Sequence, residues 1–422
     1  MWLSCAKVYH VMANILILNH DIPYPQDFSG NTARVLPLSR ALAGEHDCWL
    51  VTFTHDEVRQ AGLVSTGVFQ GCTTIPFVSE APVLTRYAHL FTGQLACRMT
   101  PHYYGNIVSC ISKLVQDHKI DAIIAHGLKV SEFALGVKVK ARVLDATDCL
   151  TLVAKRELMA ERCNHSVLSY IKARLSIFRT AYYERYCLRM FDATTLSSPV
   201  DVRFMKSLYK NAADKIKLTP NGVASSFLAC NEGKCRREER AISFWGALDF
   251  HPNTTAVRWF YDHVYRPFLR EKGIRWYIIG KGAPDDIKRY GDDDPNIIVT
   301  GFIKDLPSFL ATIPVMVNPM KAGSGIKNKV IEAFALARAV VSNSMGIESI
   351  AAQPNVHYAP AETPEEFFRQ IELLLSDKQH RIGLGARARC LIDELYDWRS
   401  IGLSYRNIIE EVLAKKSLEG CR

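Results

Sequence analysis

The chain has 422 residues, enough for two or three domains of ordinary size. Hydrophobic residues make up 48% and charged residues 23%, which excludes a largely disordered chain, a collagen-like fibre and a disulfide-knotted peptide. Lys and Arg number 52 against 43 Asp and Glu, and the net charge of +9 suits an anionic partner (nucleotide, lipid headgroup or nucleic acid) without choosing among them.

Short apolar runs alternate with longer helical patterns along the chain. Residues 15–18 read as a β-branched strand, followed by a polar stretch to Gly30. Residues 32–43 carry apolar side chains at helical spacing, and Gly44 stops the helix. Further strands are predicted at 49–53, 122–125, 142–144 and 193–197. Pro199, the Pro220-Asn221-Gly222 turn and the charged run 231–240 mark a boundary. The alternation then restarts, with strands at 242–245, 275–279, 297–300, 315–318 and 339–342 and helices at 256–271 and 325–337. Thr363-Pro364-Glu365-Glu366 has the makings of a capping box, and helices run on to about Leu413. Strands of continuous apolar residues alternating with helices point to parallel sheets, and the simplest arrangement is two doubly wound α/β domains facing across a cleft.

The twelve cysteines are scattered, without CxxC spacing, as expected of a reduced cytoplasmic protein without a metal framework. Residues 1–10 lack the apolar core of a signal peptide, and no run is long enough to cross a membrane.

The sharpest local chemistry lies between Asn318 and Ala335. A strand leads through Gly323-Ser324-Gly325 into a helix that opens with Lys327 and Lys329. Glycines let backbone approach a ligand, and a helix start offers unpaired N–H groups. Two lysines set against the helix dipole make sense if an anion such as a diphosphate sits there. Glu332 shares a face with Lys329 and could accept both hydroxyls of a ribose. The alternative is a glycine turn with an exposed Lys–Glu pair.

This segment resembles the donor-binding segment of retaining glycosyltransferases of the two-Rossmann (GT-B) type, family 4. Other pieces follow in that family's order: the first βα loop from Pro23 to Gly30 with Asn31, a strand ending in His126, and the turn 218–223. The strand ends at Gly246, Gly280 and Gly301 complete the series. Tyr183-Glu184-Arg185-Tyr186 and Arg142-Val143-Leu144-Asp145 look closest to bacterial sugar transferases of exopolysaccharide assembly. The resemblance covers about Ile15 to Asn407. It implies an N-terminal acceptor domain (residues 1–225), a nucleotide-sugar domain (226–395) and a last helix (396–422) packing back on the first.

It also implies a hexosyltransferase acting with retention on a UDP- or GDP-sugar, with no resident cofactor or metal and a glycan or lipid-linked acceptor. Glu332 would hold the ribose, and the backbone of Gly323, Ser324 and Gly325 with Lys327 and Lys329 the diphosphate. Gly246, Gly280 and Gly301 would line the donor site, with His126, Gly30 and Asn31 facing sugar and acceptor. Two departures stand out. Ser324 occupies the place of the family's first glutamate, and residues 247–253 lack the usual Arg and Lys. Asn31 stands where a second glycine is usual.

Gly280-Lys281-Gly282 fails the dinucleotide fingerprint, because Asp285 falls where its third glycine should be. Asp292-Asp293-Asp294 reads as a solvated loop rather than a metal site. Residues 155–189 carry eight Lys and Arg against three Asp and Glu, with tyrosines interleaved. Such a stretch is a candidate for peripheral contact with an anionic membrane on the cytoplasmic face, the alternative being helices with basic solvent faces. Nucleic acid is not expected, since no reading motif accompanies the charge. Rival functions are a nucleotide-sugar epimerase of the same fold, a silent sugar-nucleotide-binding subunit and a nicotinamide-dependent oxidoreductase.

Overall fold

The computed structural model describes residues 12–26, 30–76, 101–160, 167–230 and 238–420. Residues 1–10, residues 27–29 of the first βα loop, the side chain of Asn31, residues 161–166 of the basic stretch and most of the charged run 231–240 lie outside the described residues.

Two all-parallel sheets organise the chain. The first has the order β3-β2-β1-β4-β5-β6-β7. Its strands are β1 (Asn14–Asn19), β2 (Asp47–Thr52), β3 (Gly71–Thr74), β4 (Ala122–His126), β5 (Ala141–Thr147), β6 (Ala193–Leu196) and β7 (Ile216–Leu218). The second has the order β10-β9-β8-β11-β12-β13. Its strands are β8 (Ala241–Trp245), β9 (Arg275–Ile279), β10 (Ile297–Gly301), β11 (Val315–Asn318), β12 (Ala339–Ser342) and β13 (Ala359–Pro360). Both are Rossmann-like, and each reverses direction beside its first strand, between β1 and β4 and between β8 and β11. Such switch points open a crevice at the carboxyl ends of the strands.

The apolar strands are buried on both faces. In β1, Leu16 and Leu18 pack with Ile111 and Phe133, while Ile15 and Ile17 pack with Leu42 and Tyr405. Seven helices position the site or border it: α1 (Gly30–Ala43), α2 (Leu150–Ala160), α3 (Val167–Met190), α4 (His251–Phe260), α5 (Asn328–Ala335), α6 (Pro364–Ser376) and α7 (Trp398–Gly420). Thr363 caps α6 in a full capping box with Glu366. Helix α7 returns to the first domain, where Ile401, Tyr405 and Ile409 join the core beneath α1. Gly402 makes this possible, since a Cβ there would stand 2.5 Å from Cβ of Ala41.

Several local expectations change. The helix expected over 256–271 begins earlier, at His251, and widens into π-helical turns over Tyr261–Leu269, around Pro267, which has no N–H to give. The helix expected from Gly325 starts only at Asn328. Asp292 and Asp293 are not in a solvated loop but end a helix, Asp285–Asp293. Asp294 is buried, accepts from the Asn296 N–H at 2.9 Å and lies 3.4 Å from Arg270. Among the described residues no group of acidic, Cys or His side chains could hold a metal ion, and no helix is long and apolar enough to cross a membrane.

Candidate functional site: a cleft between two switch points

The loop between β11 and α5 is held from below. Asn318, fully buried, donates to the Gly346 carbonyl at 2.9 Å, and Asn343 donates to the Met320 carbonyl at 2.6 Å. Gly323 and Gly325 then take φ of 109° and 70°, in the left-handed region that glycine tolerates. At Gly325 space is short as well, because a Cβ would overlap the carboxylate of Asp148 from the other domain. Cations satisfy the loop's carbonyls. Arg156 donates to Gly323 O at 2.9 Å, and Lys327 Nζ donates to Ser324 O at 2.9 Å and Gly325 O at 3.1 Å. Ser324 Oγ, by contrast, is buried without a hydrogen-bond partner. An orphaned hydroxyl in a loop of this shape is what a bound oxygen-rich ligand would satisfy.

The two lysines therefore take different places. Lys327 is buried and turned to its own loop, and burial lowers its pKa although Asp148, Glu348 and Asp201 pull it up. Lys329 reaches the first strand of its domain. Its Nζ lies 2.6 Å from Asn253 Oδ1 and 4.0 Å from the centre of the Phe244 ring. A Cβ on Gly246 would stand 3.3 Å from that nitrogen. Among the described residues no carboxylate lies within ion-pair distance of it. Burial, then the charge of Lys327, pushes its pKa down to about 7, against the opposing pull of Glu332. Lys329 Nζ thus stands beside Gly246 and Asn253, at a stretch (247–253) that carries no Arg or Lys of its own.

Glu332 sits one turn further along α5. Trp245, the last residue of β8, donates its indole N–H to Glu332 Oε2 at 2.7 Å. Gly246, Gly280 and Gly301 stand side by side at three strand ends: Gly246 N donates to Ile279 O and Gly280 N to Gly301 O, both at 3.0 Å. Gly280 cannot carry a side chain, because its Cβ would overlap the Gly246 carbonyl. Phe302, next to Gly301, is 62% exposed and offers an aromatic face at this edge.

On the opposite wall, His126 ends β4 and is buried. Its Nδ1 lies 2.8 Å from Asp145 Oδ2; an ionised carboxylate only accepts, so Nδ1 carries the hydrogen. Asp145 also takes Arg34 Nε at 2.9 Å, Arg34 Nη2 at 2.7 Å and Thr195 Oγ1 at 2.7 Å. Burial works against its charge, but Arg34 and His126 overcome this and hold the carboxyl well below the usual range. Arg34 reaches on to the crossing between the domains, donating to Thr219 O at 2.9 Å and Asn221 Oδ1 at 2.7 Å. Asn221 in turn donates to Asn328 Oδ1 at 2.9 Å, at the first turn of α5. One buried chain of polar contacts thus runs from His126 to the start of the lysine-bearing helix. Gly30, exposed at the start of α1, faces the same Asn328; a Cβ on it would lie 3.7 Å from Nδ2.

Arg34, Asp148, Arg156 and Glu348 were not foreseen. Arg156 belongs to the stretch 155–189 read as a membrane face, yet it binds Glu348 through both carboxylate oxygens, at 2.6 and 2.8 Å, across the cleft. Asp148 follows β5. Burial and the neighbouring Asp201 push its pKa up to about 6, with Lys327 pulling it back. Ser198 and Ser349, 2.6 Å apart, complete the contacts between the domains. Of Arg34, Asp148, Arg156 and Glu348, Asp148 alone carried a signal, its position just beyond β5, whereas Arg34 and Arg156 lie inside α1 and α2.

Comparison with known proteins agrees with this geometry. Residues 239–377 match the family described as "Glycosyl transferases group 1". No curated protein sequence matches the chain. Among solved structures, the chain is similar to Anabaena Alr3699/HepE in complex with UDP and glucose (12% identity, 94% of this chain and 99% of that one, TM-score 0.62). It is similar to sucrose-phosphate synthase from Thermosynechococcus elongatus (13%, 96% and 100%, TM-score 0.66). A third is a variant of S. aureus TarM with Fondaparinux, alpha-GlcNAc-glycerol and UDP (12%, 94% and 99%, TM-score 0.67). At these identities the likeness establishes the fold, and that fold is GT-B. The second domain carries the glycosyltransferase match.

Proposed function

We propose that the protein transfers a hexose from a nucleoside-diphosphate sugar, UDP- or GDP-linked, to an acceptor hydroxyl with retention of configuration. The acceptor is a glycan or a lipid-linked precursor in bacterial exopolysaccharide or related glycan assembly, handled at the cytoplasmic side. One observation carries the reading most: Lys329, an ammonium held beside Gly246 without a carboxylate partner, one turn before a glutamate fixed by Trp245. A diphosphate at Gly246 would meet Lys329, and the ribose would meet Glu332.

When the bond from sugar to diphosphate breaks, negative charge gathers on the leaving oxygen. A cation already stripped of water meets that charge without reorganising solvent, which favours the transition state. The Ser324 hydroxyl and the backbone of Gly323–Gly325 supply further contacts to the donor. His126, oriented by Asp145, borders the sugar from the other domain, and Gly30 and Asn31 border the acceptor. The fold family supports reaction on one face of the sugar without a protein nucleophile. Closure of the two domains over the donor, with Arg156–Glu348 and Ser198–Ser349 meeting across the cleft, would limit hydrolysis of the donor.

Ser324 in place of the family's first glutamate favours one second reading, a subunit that binds sugar nucleotides without turnover. Thermal stabilisation by UDP-, GDP- and ADP-sugars, together with release of free nucleoside diphosphate, separates the two. The transferase reading expects stabilisation and release by at least one donor, both lost in Glu332→Ala. No stabilisation by any donor, or unchanged binding in Glu332→Ala, refutes the donor site; binding without release on any acceptor supports the silent subunit.

A further inference from the structure

Helix α3 has two unlike halves. Its second half packs into the first domain through the buried Tyr183, Glu184, Cys187 and Leu188. There Glu184 accepts hydrogen bonds from the N–H groups of Leu150 and Thr151 and so caps the start of α2. The first half, residues 167–182, spans about 24 Å. It lies along α2 but carries large apolar side chains that nothing among the described residues covers.

These side chains are not scattered. Leu168, Ile171, Leu175, Phe178 and Tyr182 recur at spacings of three and four and fall within an arc of about 80° on a helical projection. Leu168, Ile171, Phe178 and Tyr182 are each more than half exposed, Phe178 at 69%. The half-buried Ser169, Ala173 and Thr180 and the buried Cys187 lie on the opposite side. The stripe therefore points away from the body of the protein. Elsewhere among the described residues, exposed large hydrophobic side chains form no run of this length on one helix face.

Charge chooses the occupant. The exposed Lys172 and the half-buried Arg179 flank the stripe on one side, and the exposed Arg174 and Arg185 on the other. Residues 167–183 contain no Asp or Glu, and Glu184 is turned inward to α2. A second copy laid along the stripe would set cations against cations, where a helix seam needs opposite charges at its edges. An anionic lipid surface supplies hydrocarbon for the stripe and phosphate for both flanks.

We propose that the first half of α3 is a membrane-docking helix, lying in the headgroup region of an anionic bilayer with Leu168, Ile171, Leu175, Phe178 and Tyr182 inserted. Arg156 of the adjacent α2 touches Gly323 and Glu348 in the cleft, so the bilayer would lie one helix away from the site. Delivery of a lipid-linked acceptor by this route rests on the function proposed above; docking itself does not.

The test uses the nucleotide-free protein, so its failure is separate from failure of the donor site. Sedimentation with phosphatidylcholine vesicles is compared with sedimentation on vesicles also containing phosphatidylglycerol, at low and high salt. Binding is expected only to the anionic vesicles, weakening with salt. It should fall roughly tenfold or more in the Ile171→Ser/Phe178→Ser variant and in Lys172→Glu/Arg174→Glu, with thermal stability unchanged. Phe178→Trp gives a second readout that keeps the stripe intact: the difference emission of the added indole should shift to the blue on anionic vesicles. No binding at low salt, binding untouched by the stripe substitutions, or no emission shift overturns the proposal. So does a wild-type dimer in light scattering that Ile171→Ser/Phe178→Ser converts to monomer, which would make the stripe a seam between copies.

Discussion

Lys329→Met isolates the cation on which the donor site depends. Holding this ammonium at about 7 rather than near 10.5 costs roughly 5 kcal/mol when it is protonated. The folded pKa lies below the unfolded one, so the unfolded chain binds the proton more tightly. Stability should therefore rise with pH between about 7 and 10.5, and the whole cost is present below 7. Methionine fills similar space without charge. It forfeits the hydrogen bond to Asn253 and the contact with the Phe244 ring, together about 1–2 kcal/mol. The ligand-free variant should thus be more stable than wild type by about 3 kcal/mol at pH 6.5, measured by urea unfolding. UDP affinity should move the other way. Loss of a charge-assisted bond to phosphate is worth about 2–3 kcal/mol, a factor of roughly 30 to 150 in Kd by calorimetry. Wild-type affinity should also fall above pH 7, as the free enzyme sheds a proton the diphosphate needs, and the variant should lack that dependence. A variant no more stable than wild type, binding UDP within threefold of it, would refute the assignment of Lys329 as a desolvated phosphate cation.

Two further substitutions probe the opposite wall. Asp148 carries a raised pKa of about 6, so the fold binds its proton more tightly than the unfolded chain, and stability declines as pH rises from about 4 through 6. Asp148→Asn should match wild type near pH 4 and exceed it by up to roughly 3 kcal/mol above pH 7; a difference that stays constant over this range in urea unfolding would contradict the burial of that carboxylate. Arg34→Met should cost about 3–5 kcal/mol, because it leaves Asp145 charged in the core with only His126 and Thr195 to meet it. A loss below 1 kcal/mol in the same measurement would mean that the buried chain from His126 to Asn328 does not act as a unit.

The sheets were legible because their central strands are unbroken apolar runs, such as Ile15–Leu18 and Ala122–Ala125, that only a sheet buried on both faces accommodates. The loop at Gly323–Gly325 was legible because two glycines between an apolar strand and a helical run interrupt both patterns. The short edge strands β3, β7 and β13 went unseen, since Gly71–Thr74 and Ala359–Pro360 carry little apolar signal. Arg34 and Arg156 were invisible for a different reason. A charged residue in a helix or loop reads as solvated until a partner over a hundred positions away buries it, as Asp145 does for Arg34 and Glu348 for Arg156. The contrast between Lys327 and Lys329 was hidden likewise: the pattern puts both at the helix start, but only the folded chain brings Asn253 and Gly246 to one of them.

The return of α7 to the first domain has a consequence for the order in which the molecule is made. The chain crosses between domains twice at nearly one point, where Val223 N donates to Tyr396 O at 3.0 Å and Gly222 lies too close to Trp398 for any side chain. The second domain can close once residues up to Tyr396, which complete its core, leave the ribosome. The first closes later, because Ile401, Tyr405 and Ile409 belong to its core and are synthesised after the whole second sheet. The older half of the molecule therefore waits, with the apolar faces of β1 and α1 uncovered, until the younger half is finished.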